Sequence, residues 1–233
     1  IPFRWQSLNG IEKNMLNFLE NHDEQRIASE FFAGNPFKAI PAMVVSACMN
    51  TNPVMIYFGQ ELGEPGMDEE GFSGRDGRTT IFDYWTVDTI RRWRNGGKFD
   101  GKLLTKEEKK LQGFYSTLLN LCNKEKAVRE GSFFDLTYAN LEGVVFNEHR
   151  QYAFFRKAGK ELLFIVVNFD DKPAAPCVKI PTHAFEYLGI PFKDSYKAKD
   201  LLTGNTETLI LAPDQCTQVL LEAYGAKILK IKL

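Results

Sequence analysis

The stretch that decides the fold runs from residue 16 to residue 26, Leu-Asn-Phe-Leu-Glu-Asn-His-Asp-Glu-Gln-Arg. An apolar run, Met15 to Leu19, stops at a cluster of ionisable and amide side chains: Glu20, Asn21, His22 and Asp23. A parallel strand buried on both faces is apolar almost throughout. It delivers polar groups only where it emerges at the mouth of a barrel. The break in pattern therefore predicts a buried strand whose C-terminal end is the polar cluster.

Working outward, Asn35-Pro36 supplies an N-cap and a proline for a first helical turn. The segment Phe37 to Met49 is apolar almost all round, as a packed helix is. Pro41 sets the start of its regular part near residue 39, or kinks it there. Pro53 ends this segment, and Val54 to Phe58 reads as a short buried strand finishing at Gly59-Gln60-Glu61. A long glycine-rich polar stretch, Gly63 to Thr80, follows; loops of that length inside compact domains are usually functional or disordered. Thr105-Lys106-Glu107-Glu108 fits a capping box. Leu111, Phe114, Tyr115, Leu118, Leu119 and Cys122 then repeat at helical spacing. Strand, helix, strand, long loop and helix in that order are the end of a βαβα unit.

From about residue 132 the period changes to two. Tyr152 to Lys157 and Glu161 to Phe169 flank a hairpin-like break at Ala158-Gly159-Lys160. Further strands are expected at Cys177 to Ile180, Tyr196 to Asp200, Glu207 to Leu211, Gln218 to Ala223 and Lys227 to Lys232. Turn signals fall at Asp170 to Pro173, Thr203 to Asn205 and Ala212 to Asp214. The fold class is thus α/β plus all-β. Residues 1–123 read as α/β, and residues 124–233 are expected to form an antiparallel β-sandwich domain of Greek-key type. No internal repeat or low-complexity segment interrupts this order.

Composition narrows the function. A formal net charge of -1 gives no basic excess with which to attract nucleic acid or an anionic membrane. No apolar segment reaches the roughly 18 residues of a membrane helix, and no segment has the form of a signal peptide. The chain begins Ile1-Pro2-Phe3 without an initiator Met, which fits an excised fragment or a processed product and leaves the compartment unspecified. Cys48, Cys122, Cys177 and Cys216 match no metal-ligand spacing and no C-x-x-C motif, so they read as buried free thiols. Aromatic content of 13% suits carbohydrate faces and an ordinary core equally.

A His beside an Asp at a strand end can grip neighbouring hydroxyls of a sugar, and the Asp can stabilise positive charge developing on the ring. The string Asn21-His22-Asp23 resembles a signature region of glycoside hydrolase family 13, the α-amylase family, where a strand ends in NHD. Three further blocks are similar to segments of that family. Pro53 to Glu61 is similar to its final strand pattern of Pro, aromatic, Gly and Glu. Asp76 to Trp85 is similar to the segment that follows this strand, and the closing Gly225 to Leu233 to the last strand of the C-terminal domain. The resemblance covers essentially the whole chain and matches the C-terminal part of a family member, so residues 1–123 would be the last part of a (β/α)8 TIM barrel, with the two strands in its seventh and eighth repeats.

The resemblance implies roles residue by residue. Asp23 would be the third catalytic carboxylate, which neither attacks nor donates a proton but supports the oxocarbenium-like transition state. His22 would hydrogen-bond the same ring, with Asn21 beside it, and Arg26 would orient carboxylates or form a surface ion pair. The implied activity is retaining cleavage of α-1,4-glucosidic bonds in starch or maltooligosaccharides. A glucanotransferase or glucosyl isomerase on the same scaffold, and a non-catalytic carbohydrate-binding or scaffold homologue, remain alternatives. The family's nucleophile pattern, GxRxD, its separate acid Glu and its early DxxxNH pattern are not found in this sequence. One carboxylate of three implies that the chain alone is inactive. The expected partner is an α-glucan oligosaccharide or polysaccharide.

In the long loop, Phe72 is the candidate for stacking on a glucose ring, whereas Tyr84 and Trp85 read as packing residues. Asp68-Glu69-Glu70 lacks EF-hand spacing and reads as a solvated loop. No metal or other cofactor is expected here, although calcium is possible in an intact parent. His149 and His183 read as surface or turn residues. Two parallel strands cannot close a barrel, so their edges are expected to be completed by other chain, by rearrangement around the β domain, or by self-association through residues 15–60.

Overall fold

The computed structural model describes residues 10–67, 75–82, 86–141 and 145–233. The chain divides into two compact units, one of Ile1–Met15, Ile40–Pro53 and Leu118–Leu233, the other of Leu16–Ala39 and Val54–Thr117.

The first unit is built on strands β1 (Ser132–Asp135), β2 (Gln151–Ala158), β3 (Glu161–Asn168), β4 (Cys177–Lys179), β5 (Tyr196–Asp200), β6 (Thr206–Leu209), β7 (Cys216–Gln218) and β8 (Ala226–Lys232). Six of them form one sheet in the order β1-β2-β3-β8-β5-β6, and β4 pairs with β7. All these pairings are antiparallel. The β2–β3 hairpin ends on the pair Ala158–Glu161, which leaves a two-residue turn with Gly159 at φ 57°. Positive φ at the first turn residue is what a two-residue hairpin of the primed type needs, and glycine takes it without strain.

Strict alternation fails in the middle of this sheet. Every residue from Leu162 to Val167 is fully buried, because β3 is covered on both faces. One face carries Ala153, Phe155, Leu162, Phe164, Val166, Leu229 and Ile231. It packs with Val178 of β4, Val219 and the helix Thr182–Leu188, which supplies Ala184, Phe185 and Leu188. The helices Ile40–Cys48 and Lys126–Glu130 lie against strands of the same sheet. The first of them begins regular α geometry at Ile40, after a 3-10 turn at Pro36–Ala39, as Pro41 dictates.

Arg156 of β2 is 1% exposed and has no carboxylate partner among the described residues. Its guanidinium donates instead to the carbonyls of Ala127 at 3.0 Å, Val128 at 2.9 Å and Met49 at 2.9 Å. Met49 follows one helix, and Ala127 and Val128 belong to another, so the cation sits where helix carbonyls are left over. Burial pushes the Arg156 pKa down to about 10, so the group is still charged at neutral pH.

Three expectations change. Cys177 and Cys216 are joined by a disulfide with a Cα–Cα distance of 5.2 Å, not left as free thiols. The antiparallel pairing of β4 with β7 brings together two cysteines 39 residues apart. Cys48 and Cys122 are free, with their sulfurs 3.9 Å apart. The segments Met15 to Leu19 and Val54 to Phe58 are not buried strands: among the described residues they meet in an isolated parallel bridge, Asn17–Val54, with the Met55 amide donating to Asn17 O at 2.8 Å. Leu16, Phe18 and Phe58 are 42–47% exposed, because a parallel strand is buried only when neighbours and helices flank it. The helix Thr182–Leu188 and strand β1 were not anticipated; seven and four residues are too few for periodicity to declare itself.

In the second unit the capping box is formed as expected. The Glu108 amide donates to Thr105 Oγ1 at 3.1 Å and the Thr105 amide donates to Glu108 Oε2 at 2.8 Å, opening the helix Lys106–Lys124.

Replacing Arg156 by Met should lower stability by about 3 kcal/mol, since three carbonyls lose their donors in a buried site. The shift in the urea midpoint at constant m-value measures it.

Candidate functional site

The polar cluster at the end of the apolar run is held from inside by one buried ion pair. Arg26 is 0% exposed, and its Nε lies 2.9 Å from Glu20 Oε2. The same guanidinium donates to Phe58 O at 2.7 Å and lies 4.9 Å from the centre of the Tyr57 ring. The Arg26 amide donates to Gly77 O at 2.6 Å. Glu20 Oε1 accepts from the Ile27 amide at 2.7 Å. Burial pushes the Glu20 carboxyl above its ordinary value, against the pull of Arg26 and the Ile27 amide. Arg26 is therefore not a surface residue; it ties three chain segments together.

One glycine makes room for this arginine and another for Ser29. Gly66 has φ 61°, and a Cβ there would fall 2.7 Å from Arg26 Cγ. Gly77 has φ 84°, and a Cβ would fall 2.2 Å from Ser29 Oγ. Neither position accepts a side chain without moving the backbone. Beside them Glu64, 4% exposed, accepts from the Gly66 amide at 2.9 Å and from the Thr89 hydroxyl. Gln60 donates to Tyr115 Oη at 3.0 Å, and Tyr57 Oη donates to Thr79 O at 2.6 Å. Glu108 of the capping box also binds Arg92, whose Nε lies 3.0 Å from Glu108 Oε1.

On this base Asn21, His22 and Asp23 form a tight turn. Asn21 Oδ1 accepts from the amides of Asp23 and Glu24, both at 2.9 Å, an Asx turn that fixes the local backbone. His22 Nε2 is 3.5 Å from Asp23 Oδ2, and the two side chains are 46% and 77% exposed. The charge of Asp23 reaches Arg78, which is itself bonded to Asp76 at 2.7 Å and whose pKa is raised chiefly by that bond. The structure thus brings Asn21, His22 and Asp23 together at the surface and puts Arg26 beneath them. The resulting arrangement is a solvent-facing carboxylate and imidazole on a rigid turn, able to accept and donate hydrogen bonds to a polyol and to face a developing cation.

Phe72, Tyr84, Trp85 and the run Asp68 to Glu70 lie outside the described residues. Among the described residues no group of three or more His, Cys, Asp or Glu is arranged to hold a metal ion. Glu64 and the two glycines were not singled out in the sequence. The only signal was the glycine richness of residues 63–80.

A polar cluster beside an isolated parallel bridge, in a chain that also carries an antiparallel sheet, fits part of a barrel joined to a β domain. The chain belongs to the α-amylase family: the model of the α-amylase catalytic domain matches residues 4–129, more than half of its length. No curated protein matches it in sequence. Among solved structures it is similar to AmyP in complex with maltose, at 19% identity and TM-score 0.60 over 92% of this chain and 40% of that one. It is also similar to an Anoxybacillus α-amylase, at 17% identity and TM-score 0.60 over 99% of this chain and 40% of that one. A third is the maltogenic α-amylase AmyB of Thermotoga neapolitana, at 14% identity and TM-score 0.61 over 94% of this chain and 41% of that one. At these identities the likeness is one of fold. The chain spans about two-fifths of the length of each of these structures.

Replacing Glu20 by Gln should cost about 3–5 kcal/mol, because it leaves the Arg26 cation buried without its counter-charge. Urea denaturation followed by circular dichroism reads this loss, and pairing Glu20→Leu with Arg26→Met should recover part of it.

Proposed function

We propose that this chain is the C-terminal portion of a retaining α-glucan-active glycoside hydrolase of the α-amylase type, one that cleaves α-1,4-glucosidic bonds in starch or maltooligosaccharides. The observation that carries the reading is the exposed His22–Asp23 pair on a turn anchored by the buried Glu20–Arg26 pair.

Asp23 is the transition-state stabiliser. As positive charge develops at the anomeric carbon, its carboxylate faces the ring and lowers the barrier by about 3 kcal/mol or more. His22 donates to a ring hydroxyl from the same side. Asn21 and Arg26 act as positioning residues, because their own polar groups are engaged with the turn and with Glu20. Any ordering they confer is established before the sugar arrives, so no barrier energy is lost in reorganisation. Phe72 completes the reading as a stacking surface for a glucose ring.

Retention requires a nucleophile and an acid about 5 Å apart, and the family patterns that would supply them are not in these 233 residues. The chain by itself is therefore inactive. Leu16, Phe18 and Phe58, large and exposed along the two incomplete strands, favour association of this chain with a second copy or with the rest of a barrel.

Purified chain incubated with soluble starch should release no reducing sugar; sustained release would overturn the reading. In the complete enzyme, Asp23→Asn should lower kcat about a thousandfold with an unchanged circular dichroism spectrum. A nearly unchanged rate would remove Asp23 from the mechanism. Light scattering on the chain alone should give a mass above the 26.6 kDa monomer.

A further inference from the structure

The β domain holds a groove that the proposed chemistry does not use. It is a wide, open depression of about 640 Å³ beside β1, the edge strand of the six-stranded sheet. The short helix Thr182–Leu188 has two faces. Ala184, Phe185 and Leu188 enter the core, while His183, Glu186 and Tyr187, at i, i+3 and i+4 spacing, line the groove. Phe134 of β1 lies between them, with its ring centre 5.4 Å from His183, 5.8 Å from Tyr187 and 6.3 Å from Tyr138. Tyr138 Oη is hydrogen-bonded to His183 Nε2, which fixes both rings. Tyr187 and Tyr138 are nevertheless 65% and 46% exposed.

Aromatic rings of this number normally sink into a core, where each removes a large apolar area from water. Here they are locked against one another and left facing solvent. Their polar neighbours are two carboxylates: Asp135, whose Oδ1 accepts from the Thr137 amide at 2.8 Å, and Glu186. Among the described residues no Lys or Arg lines the groove, so it is not built for a phosphate or another anion. Its volume lies in the range of small-ligand sites. A pyranose is complementary on both counts: its C–H face is apolar and flat, and its edge offers hydroxyl donors that carboxylate and imidazole acceptors can take.

We propose that this groove is an α-glucan-binding surface carried wholly by the β domain, with Tyr187 and Tyr138 as the stacking platform and Asp135 and Glu186 accepting from hydroxyls. The choice of an α-glucan rests on the function proposed above; the groove itself does not. A surface of this kind holds a polymer chain without cleaving it, and so raises the local concentration of substrate for whatever site acts on it.

Affinity electrophoresis of the chain in native gels with and without amylopectin tests the assignment. The chain should be retarded. Tyr187→Ala should bind about tenfold more weakly, while Tyr187→Phe, which keeps the ring, should bind nearly as the parent does. Tyr187 is largely exposed, so the alanine variant is expected to fold, and circular dichroism checks it. Retardation of both Tyr187→Ala and Tyr138→Ala equal to that of the parent chain overturns the groove and leaves the His22–Asp23 rim as the glucan contact. Absence of retardation in the parent chain also overturns the groove. Starch hydrolysis by the complete enzyme decides the proposed function separately.

Discussion

A guanidinium removed from water must have its charge met, and each unit of this protein buries one. Arg26 and Arg156 are among the bulkiest fully buried side chains. Arg26 is met by the Glu20 carboxylate, the Phe58 carbonyl and the Tyr57 ring face. Arg156 is met by three carbonyls at helix ends and by no carboxylate among the described residues. Desolvating such a cation is costly, and the cost is recovered only if all partners stand in place together. That condition couples distant segments. In the one unit it fixes the turn at residues 20–26 against residues 57–59 and 77. In the other it fixes two helices against β2.

The consequence for the candidate site is rigidity without contact. None of the groups that hold Arg26 needs to touch a sugar. They set the backbone from which His22 and Asp23 project, and Asn21 holds the turn itself. Electrostatic stabilisation of a transition state depends on dipoles and charges that are already oriented. The glycines at 66 and 77 serve the same end, since any side chain there would displace Arg26 or Ser29.

The β domain follows another logic. Its central strand is covered on both faces, so its stability rests on apolar burial on both sides of one sheet. The β4–β7 pair lies outside that sheet, consists of three-residue strands and is tied by the Cys177–Cys216 disulfide. A two-stranded ribbon of that length is marginal alone, and a cross-link restricts the unfolded chain. At the sheet's far edge, β1 is short and flanked by aromatic side chains that are left in water.

The sequence alone determined what short spacing encodes. Thr105 and Glu108 are three residues apart, and their capping box formed. Gly159 sits between two apolar runs, and the β2–β3 hairpin turned there. Pro41 set the helix start, and the order Asn21-His22-Asp23 after an apolar run carried the family. What only the tertiary structure decided joins residues far apart in the chain. Examples are the disulfide across 39 residues, the burial of Arg26 against Phe58, the exposure of Leu16 and Phe18, and the groove of Phe134, Tyr138, His183 and Tyr187. The physical reason is range. Capping, turns and periodicity act within a few residues and leave their mark in a local pattern. Burial, ion pairing and strand neighbours depend on which distant segments arrive, and no single stretch of sequence holds that information.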